Sequence, residues 1–136
     1  MDVRQCRQFS VFLENRVGAL AELCKLISDC SINLFAICAI DTVEEAVLRI
    51  VAEDEAGTLE ALRRAGFHVV ETGVLLVELD NVPGATGRMA SQLAGAGINI
   101  DYIYASAHPA GPKAYLVLRT HQLAEAEKVL KGGTET

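Results

Sequence analysis

No stretch of this chain approaches the run of about 18 apolar residues that a membrane-spanning helix needs, although 51% of its 136 residues are hydrophobic. Charged residues, 22% of the total, interrupt the apolar ones as they do in a globular protein that builds a core. A membrane is therefore not an expected partner. Basic clusters are missing too. None exceeds the pair Arg63-Arg64, and the net charge is −6, so the footprint required by a phosphate backbone is absent and nucleic acid is excluded as an expected partner. The opening residues Met1-Asp2-Val3-Arg4-Gln5-Cys6-Arg7 lead into a charged segment and not into the long apolar core of a signal peptide. The cytoplasm is the expected compartment.

Several chemical signatures are lacking as well. The four cysteines, Cys6, Cys24, Cys30 and Cys38, show no C-x-x-C spacing, which argues against a zinc site, a redox pair or a metal-chaperone turn. Buried, reduced thiols acting as small hydrophobes are expected. A Cys24–Cys30 disulfide is disfavoured, because residues six apart on a helix do not face each other. His68, His108 and His121 fall far apart, on a strand, a loop and a helix start, so they do not make a metal site. No nucleophile with a nearby base emerges, and no G-x-x-x-x-G-K-S/T phosphate loop is present. Acylphosphatase-like chemistry needs an arginine in its phosphate loop, and Arg16 and Arg88 are not equivalent to one another. RNA-binding versions of such folds need basic charge and exposed strand aromatics, and aromatics make up only 5% of this chain. No cofactor is expected.

What the chain does contain is an internal repeat. Glu14-Asn15-Arg16-Val17-Gly18-Ala19 precedes Asp80-Asn81-Val82-Pro83-Gly84-Ala85 by 66 positions, and Ser31-Ile32-Asn33-Leu34 precedes Gly97-Ile98-Asn99-Ile100 by the same offset. Behind each glycine an i, i+3, i+4 rhythm predicts an amphipathic helix, through Leu20, Leu23, Cys24 and Ile27 and through Met89, Ala90, Leu93 and Ala94. Strand-like runs precede the glycines, at Gln8–Leu13 and Val74–Leu79. Two more follow each helix, at Ile32–Ile40 with Ala46–Ala52 and at Ile98–Ser106 with Ala114–Thr120. Second helices are expected over Thr58–Ala65, stopped by Gly66, and over Leu123–Lys131, stopped by Gly132-Gly133.

A fourth strand, Phe67–Glu71, completes a βαββαβ unit in the first copy. The fold class is therefore α+β: two ferredoxin-like βαββαβ units in tandem, antiparallel sheet with helices on one face, divided at 1–72 and 73–136. The second copy has only Thr134-Glu135-Thr136 after its last helix and lacks a full last strand. Thr72-Gly73 is expected to be a tight hairpin, making Phe67–Glu71 a strand shared by both copies in one seven-stranded sheet. The segment Ala107-His108-Pro109-Ala110-Gly111-Pro112 is expected to be a solvent-exposed hairpin tip.

Any binding chemistry should sit where the first strand of each copy meets its first helix. Glycine lets a ligand approach the backbone closely, and the first turn of a helix presents unpaired N–H groups and a positive dipole end. Such a place favours a carboxylate. Glu14 and Asp80, with Asn15 and Asn81, are suited to an ammonium group, and Asn33 and Asn99 end the loop that enters the second strand. The set suits a zwitterion. The alternative is that Gly18 and Gly84 are plain turn residues and that Asn33 and Asn99 occupy left-handed backbone positions.

The turns Glu14-Asn15-Arg16-Val17-Gly18-Ala19-Leu20 and Asp80-Asn81-Val82-Pro83-Gly84-Ala85-Thr86 resemble the D/E-x-x-P-G-x-L turn of ACT domains, followed at the usual distance by a G-I-N-I entry to the second strand. Nearly the whole chain resembles two tandem ACT domains of the stand-alone bacterial type. The resemblance implies a non-catalytic regulatory module that binds an amino acid or similar small carboxylate effector between paired domains. It implies ligand contacts from Asn15, Val17, Gly18, Ala19 and Leu20, from Asn81, Pro83, Gly84, Ala85 and Thr86, and from the second strand of a neighbouring domain. Of Tyr102, Tyr104 and Tyr115, at least one is expected to serve core and sheet-face packing, because neighbours in a strand point to opposite faces; if the second strands line an interface, Tyr102 or Tyr104 borders the ligand. Val17 replaces the family's proline in the first copy and Thr86 its leucine in the second, which leaves open whether one turn or both is occupied.

The side-by-side arrangement of ACT domains implies a homodimer as well. Pairing through second strands would place the ends of a two-residue linker about five or six strand spacings apart, some 25 Å, against a reach of about 7 Å. The turns and second strands of different chains are therefore expected to form the sites. A separate regulated enzyme is a possible partner under this reading. The alternatives are a regulatory subunit or scaffold that binds an enzyme without a small ligand and, behind it, a small ferredoxin-like enzyme.

Overall fold

A computed structural model describes residues 1–41, 45–107 and 110–132. Ten elements follow in chain order: β1 (Asp2–Glu14), α1 (Ala19–Asp29), β2 (Leu34–Asp41), β3 (Glu45–Ala52), α2 (Glu55–Arg64), β4 (His68–Asp80), α3 (Ala85–Gly95), β5 (Tyr102–Ala107), β6 (Lys113–Arg119) and α4 (Leu123–Gly132). The α+β class and the doubled ferredoxin-like plan are as expected. The strands are ordered β2-β3-β1-β4-β6-β5, six among the described residues where seven were expected.

That difference has one cause. Thr72-Gly73 is not a hairpin: β4 runs without a break from His68 to Asp80, so the expected fourth strand of the first copy and first strand of the second are one element. Gly73 is not among the glycines at positive φ. Its role is steric instead, since a Cβ there would lie 3.0 Å from Leu123 Cδ2. The expected two-residue linker, from which the reach argument started, is therefore strand.

One compact unit is Arg7–Thr72, the first unit below. β3 pairs antiparallel with both β1 and β2, in registers that set Phe9 opposite Ile50 and Ile37 opposite Ile50. In α1 the i, i+4 series Ala19, Leu23 and Ile27 is buried, and it packs with Phe9, Val11 and Leu13 of β1, Leu48 and Ile50 of β3 and Leu62 of α2. α2 starts at Asp54, whose carboxylate accepts from the Gly57 amide at 3.0 Å, which satisfies one of the orphan donors of a helix start.

The second unit joins Met1–Cys6 to Gly73–Thr136. Val3 sits in its core with Leu75, Val77 and Leu79 of β4, Met89 and Leu93 of α3, and Ala126 and Leu130 of α4. Gln5 donates to Glu127 of α4 at 2.9 Å. The first residues of β1 thus stand where a strand after α4 was missed in the sequence. Residues 133–136 lie outside the described residues.

Cysteine placement differs from expectation in one respect. All four are free thiols, but Cys6, Cys24 and Cys38 are half-buried, and Cys30, at the C-cap just past the end of α1, is exposed. Among the described residues no group of His, Cys, Asp and Glu is placed to hold a metal ion, and no helix is long and apolar enough to cross a membrane. His108 and Pro109, within the expected hairpin tip, lie outside the described residues.

Candidate functional site

Both turns fold alike. In the first, the Arg16 amide donates to Glu14 O at 2.9 Å, the Ala19 amide to Arg16 O at 3.3 Å and the Glu22 amide to Gly18 O at 3.0 Å. In the second, Val82 donates to Asp80 O at 2.9 Å, Ala85 to Val82 O at 3.2 Å and Arg88 to Gly84 O at 2.9 Å. The glycines hold φ of +88° and +87° and stand at the N-cap with no side-chain cap. A glycine cap cannot supply the oxygen that Ser, Thr, Asp or Asn would. The amides of Leu20 and Ala21 in α1, and of Thr86 and Gly87 in α3, consequently have no partner among the described residues.

The remaining expected site residues divide by position. Glu14, Asn15, Val17, Gly18 and Leu20 are exposed at the first turn, and Ala19 is buried beneath. Asp80, Pro83, Gly84 and Thr86 are exposed at the second, with Asn81 and Ala85 half-buried. Asn81 is committed to structure: its backbone amide donates to Pro112 O and its side-chain Nδ2 to Gly111 O, both at 3.0 Å. The segment expected to be a bare solvent loop thereby anchors the turn.

Asn33 and Asn99 are not brought to the turns. Glu14 faces Glu45 while Leu34 faces Ala52, seven strand residues or about 24 Å apart. In the second unit Asp80 faces Lys113 and Tyr102 faces Arg119, about 20 Å apart by the same measure. Each asparagine lies at the far end of its helix. Nor are they left-handed. Those positions belong to Ser31 and Gly97, at φ +56° and +73°. Asn33 O accepts from the Glu53 amide, and Asn99 Nδ2 donates to Asp101 Oδ1 at 3.2 Å. Tyr102, Tyr104 and Tyr115 share the sheet face away from the helices, since Tyr104 pairs with Val117 and Ser106 with Tyr115. Tyr115 donates to Glu78 at 3.4 Å.

A cleft opens beside each turn, built from the same elements: the end of a first strand, the turn, the first helix and the start of a fourth strand. In the first unit it holds about 590 Å³ and is lined by Phe12, Glu14, Arg16, Glu22, Glu45 and His68 among others. In the second it holds about 230 Å³ and is lined by Met1, Leu79, Asp80, Val82, Ala85, Arg88 and Gln92.

Their electrostatics are opposite. Arg16 clamps Glu22 at 2.8 and 3.3 Å and Glu14 at 3.2 Å. The bond and charge of Glu22 raise the Arg16 pKa, and Arg16 in turn holds the Glu22 carboxyl below its ordinary range. At the equivalent places in the second unit Arg16 becomes Val82, Glu22 becomes Arg88 and Glu45 becomes Lys113. Lys113 bonds Asp80 at 2.6 Å and lowers its pKa. Arg88 lies over the turn glycine, with Nη1 2.8 Å from the place where a Gly84 Cβ would stand. Neither Arg88 nor Gln92 was singled out as a ligand residue in the sequence. The signal that finds them is comparison of the copies position by position at the 66-residue offset.

The sequence model of the ACT domain pair matches residues 4–132. This chain is an ACT domain pair. A protein of Bacteroides thetaiotaomicron is 31% identical, with a TM-score of 0.86 over 95% of this chain and 88% of its own. The ligand-free regulatory subunit of aspartate kinase from Thermus thermophilus has a TM-score of 0.71 at 14% identity, over 99% of this chain and 98% of that one. Escherichia coli aspartokinase III, solved with lysine and aspartate, shares the fold at a TM-score of 0.54 and 18% identity, over 95% of this ACT pair but only 30% of that chain. No protein of curated function matches this sequence.

Proposed function

We propose that this ACT domain pair is a non-catalytic sensor that binds an amino acid or similar small carboxylate at its glycine turns and passes occupancy to a separately encoded enzyme. The supporting observation is the paired set of helix starts opened by left-handed glycines, with two amides in each left without a side-chain cap. Unpartnered helix-start amides carry partial positive charge and direct N–H bonds at an anion. Two relatives of the same fold point the same way: one is itself a regulatory subunit of aspartate kinase, and the other was solved with two amino acids bound. In this reading two chains pair so that turns of one and second strands of the other complete the sites. The edge strands supply apolar surface for that purpose, with Ile37 45% and Ile103 39% exposed at matching places on β2 and β5.

A thermal-shift screen of the twenty amino acids and common carboxylates tests the reading. A ligand bound only by the native state at a hundredfold excess over its Kd adds about 2.7 kcal/mol, enough to raise the melting midpoint by several degrees. No shift with any compound at millimolar concentration favours a partner-binding scaffold, and turnover of a compound favours an enzyme.

A further inference from the structure

The chain builds its two units differently. The first is one unbroken segment, Arg7–Thr72, whereas the second is assembled from two, Met1–Cys6 and Gly73–Thr136. The whole first unit is thus inserted between residues 2–6 of β1 and the rest of the unit to which they belong. Neither β1 nor β4 is interrupted where the chain passes from one unit to the other, after Cys6 and after Thr72.

The short segment is built into the second unit. Val3 is buried in a core that also holds Leu75, Leu93 and Leu130, and Gln5 donates to Glu127 of α4 at 2.9 Å. Completing that unit therefore requires Cys6 and Gly73 to be brought together at the two ends of the insertion. If Arg7–Thr72 were a free chain, closing a loop of that length would disfavour the second unit on the order of a thousandfold. A folded first unit removes this cost. β1 and β4 are neighbours in the sheet, and inside the first unit they meet at Phe12 and His68, whose ring centroids are 4.9 Å apart. Its folding fixes both ends of the insertion on adjoining strands. The first unit needs no such help, because its core of Phe9, Leu23, Ile50 and Leu62 among others comes from a single segment.

We infer that the first unit is the scaffold on which the second folds. Arg7–Thr72 keeps its structure when the second unit opens, and the second unit, with its Gly84 turn, does not hold when the first is unfolded. Of the two half-open forms only the one with the first unit folded is populated. This inference is independent of the sensor reading and concerns the chain without ligand.

The test uses the full chain labelled with ¹⁵N, with backbone amide spectra followed through a urea titration. Leu23→Asp and Leu93→Asp each place a carboxylate at a fully buried position in one core, and a buried unpaired charge weakens the unit that receives it. In Leu93→Asp the amides of α3 and α4 are expected to lose their dispersed shifts at a lower urea concentration than those of Arg7–Thr72. In Leu23→Asp the second unit is expected to open no later than the first. A first unit that opens together with or before the second in Leu93→Asp, or a second unit that outlasts the first in Leu23→Asp, overturns the inference.

Discussion

Asp80 and Lys113 face each other across β4 and β6 and close an ion pair of 2.6 Å, whereas Glu14 at the equivalent place faces Glu45. Lys113 holds the Asp80 carboxyl below its ordinary range. A carboxyl depressed in the folded state contributes stability that is fully present above its unfolded pKa of about 3.9 and is lost as pH falls through the folded value. Asp80→Asn is therefore expected to lie below wild type in denaturant midpoint near neutrality, and the gap should close on acidification below about pH 4. Both partners are exposed, so added salt should narrow the gap too. A gap that does not change with pH would show that the pair contributes nothing through ionisation.

Val3 carries the second prediction. It is 3% exposed and lies in the core of the second unit. Val3→Ala should cost about 2 kcal/mol, from two lost carbons and the cavity they leave. Equilibrium denaturation measures it, and a cost near zero would mean that the first residues of β1 do not serve as a structural strand.

Gly73 tests the continuous β4. A Cβ there meets Leu123 Cδ2 at 3.0 Å, and the Gly73 carbonyl accepts from Arg119 Nη1 at 2.8 Å. Gly73→Val should destabilise by roughly 1–3 kcal/mol through overpacking, and Leu123→Ala in the same chain should recover part of that loss. Strictly additive effects of the two changes would remove the contact from the account, because residues in contact couple.

The helix ends supply a stabilising change. Ser31 terminates α1 at φ +56°, the only non-glycine residue with positive φ among the described residues, where Gly97 terminates α3. Left-handed backbone costs an L-residue about 1–2 kcal/mol, part of which glycine gives back as unfolded-state entropy. Ser31→Gly is expected to stabilise the protein by about 0.5–1 kcal/mol. An unchanged or lower midpoint would contradict it.

The helices and the two glycine turns were legible in the sequence because both rest on local rules repeated 66 residues apart: apolar spacing such as Leu23 with Ile27, and a glycine where the chain must turn left-handed. The strand at Asp2–Cys6 was not legible. Val3 is its only core residue, and Asp2 and Arg4 on either side of it read as a charged lead-in. Thr72-Gly73 was misread for a different reason: glycine marks a turn when its φ is positive, but here it is small because Leu123 presses on it. At the site, sequence adjacency put Asn33 and Asn99 with the turns, and helices of 11 residues, about 16 Å long, carry them to the far end. Arg88 is weighed in the sequence only as a phosphate-loop arginine and Gln92 not at all, because each is unremarkable on a helix and gains meaning only beside Glu22 and Leu26.

The most direct measurement of the central claim is a crystal structure of the full chain with the amino acid that gives the largest thermal shift. The sensor reading predicts its carboxylate about 2.9 Å from the helix-start amides behind a glycine turn, Leu20 and Ala21 or Thr86 and Gly87, with that turn unchanged. A ligand seated away from both glycine turns, or helix starts closed by the protein's own side chains once it binds, would contradict the account.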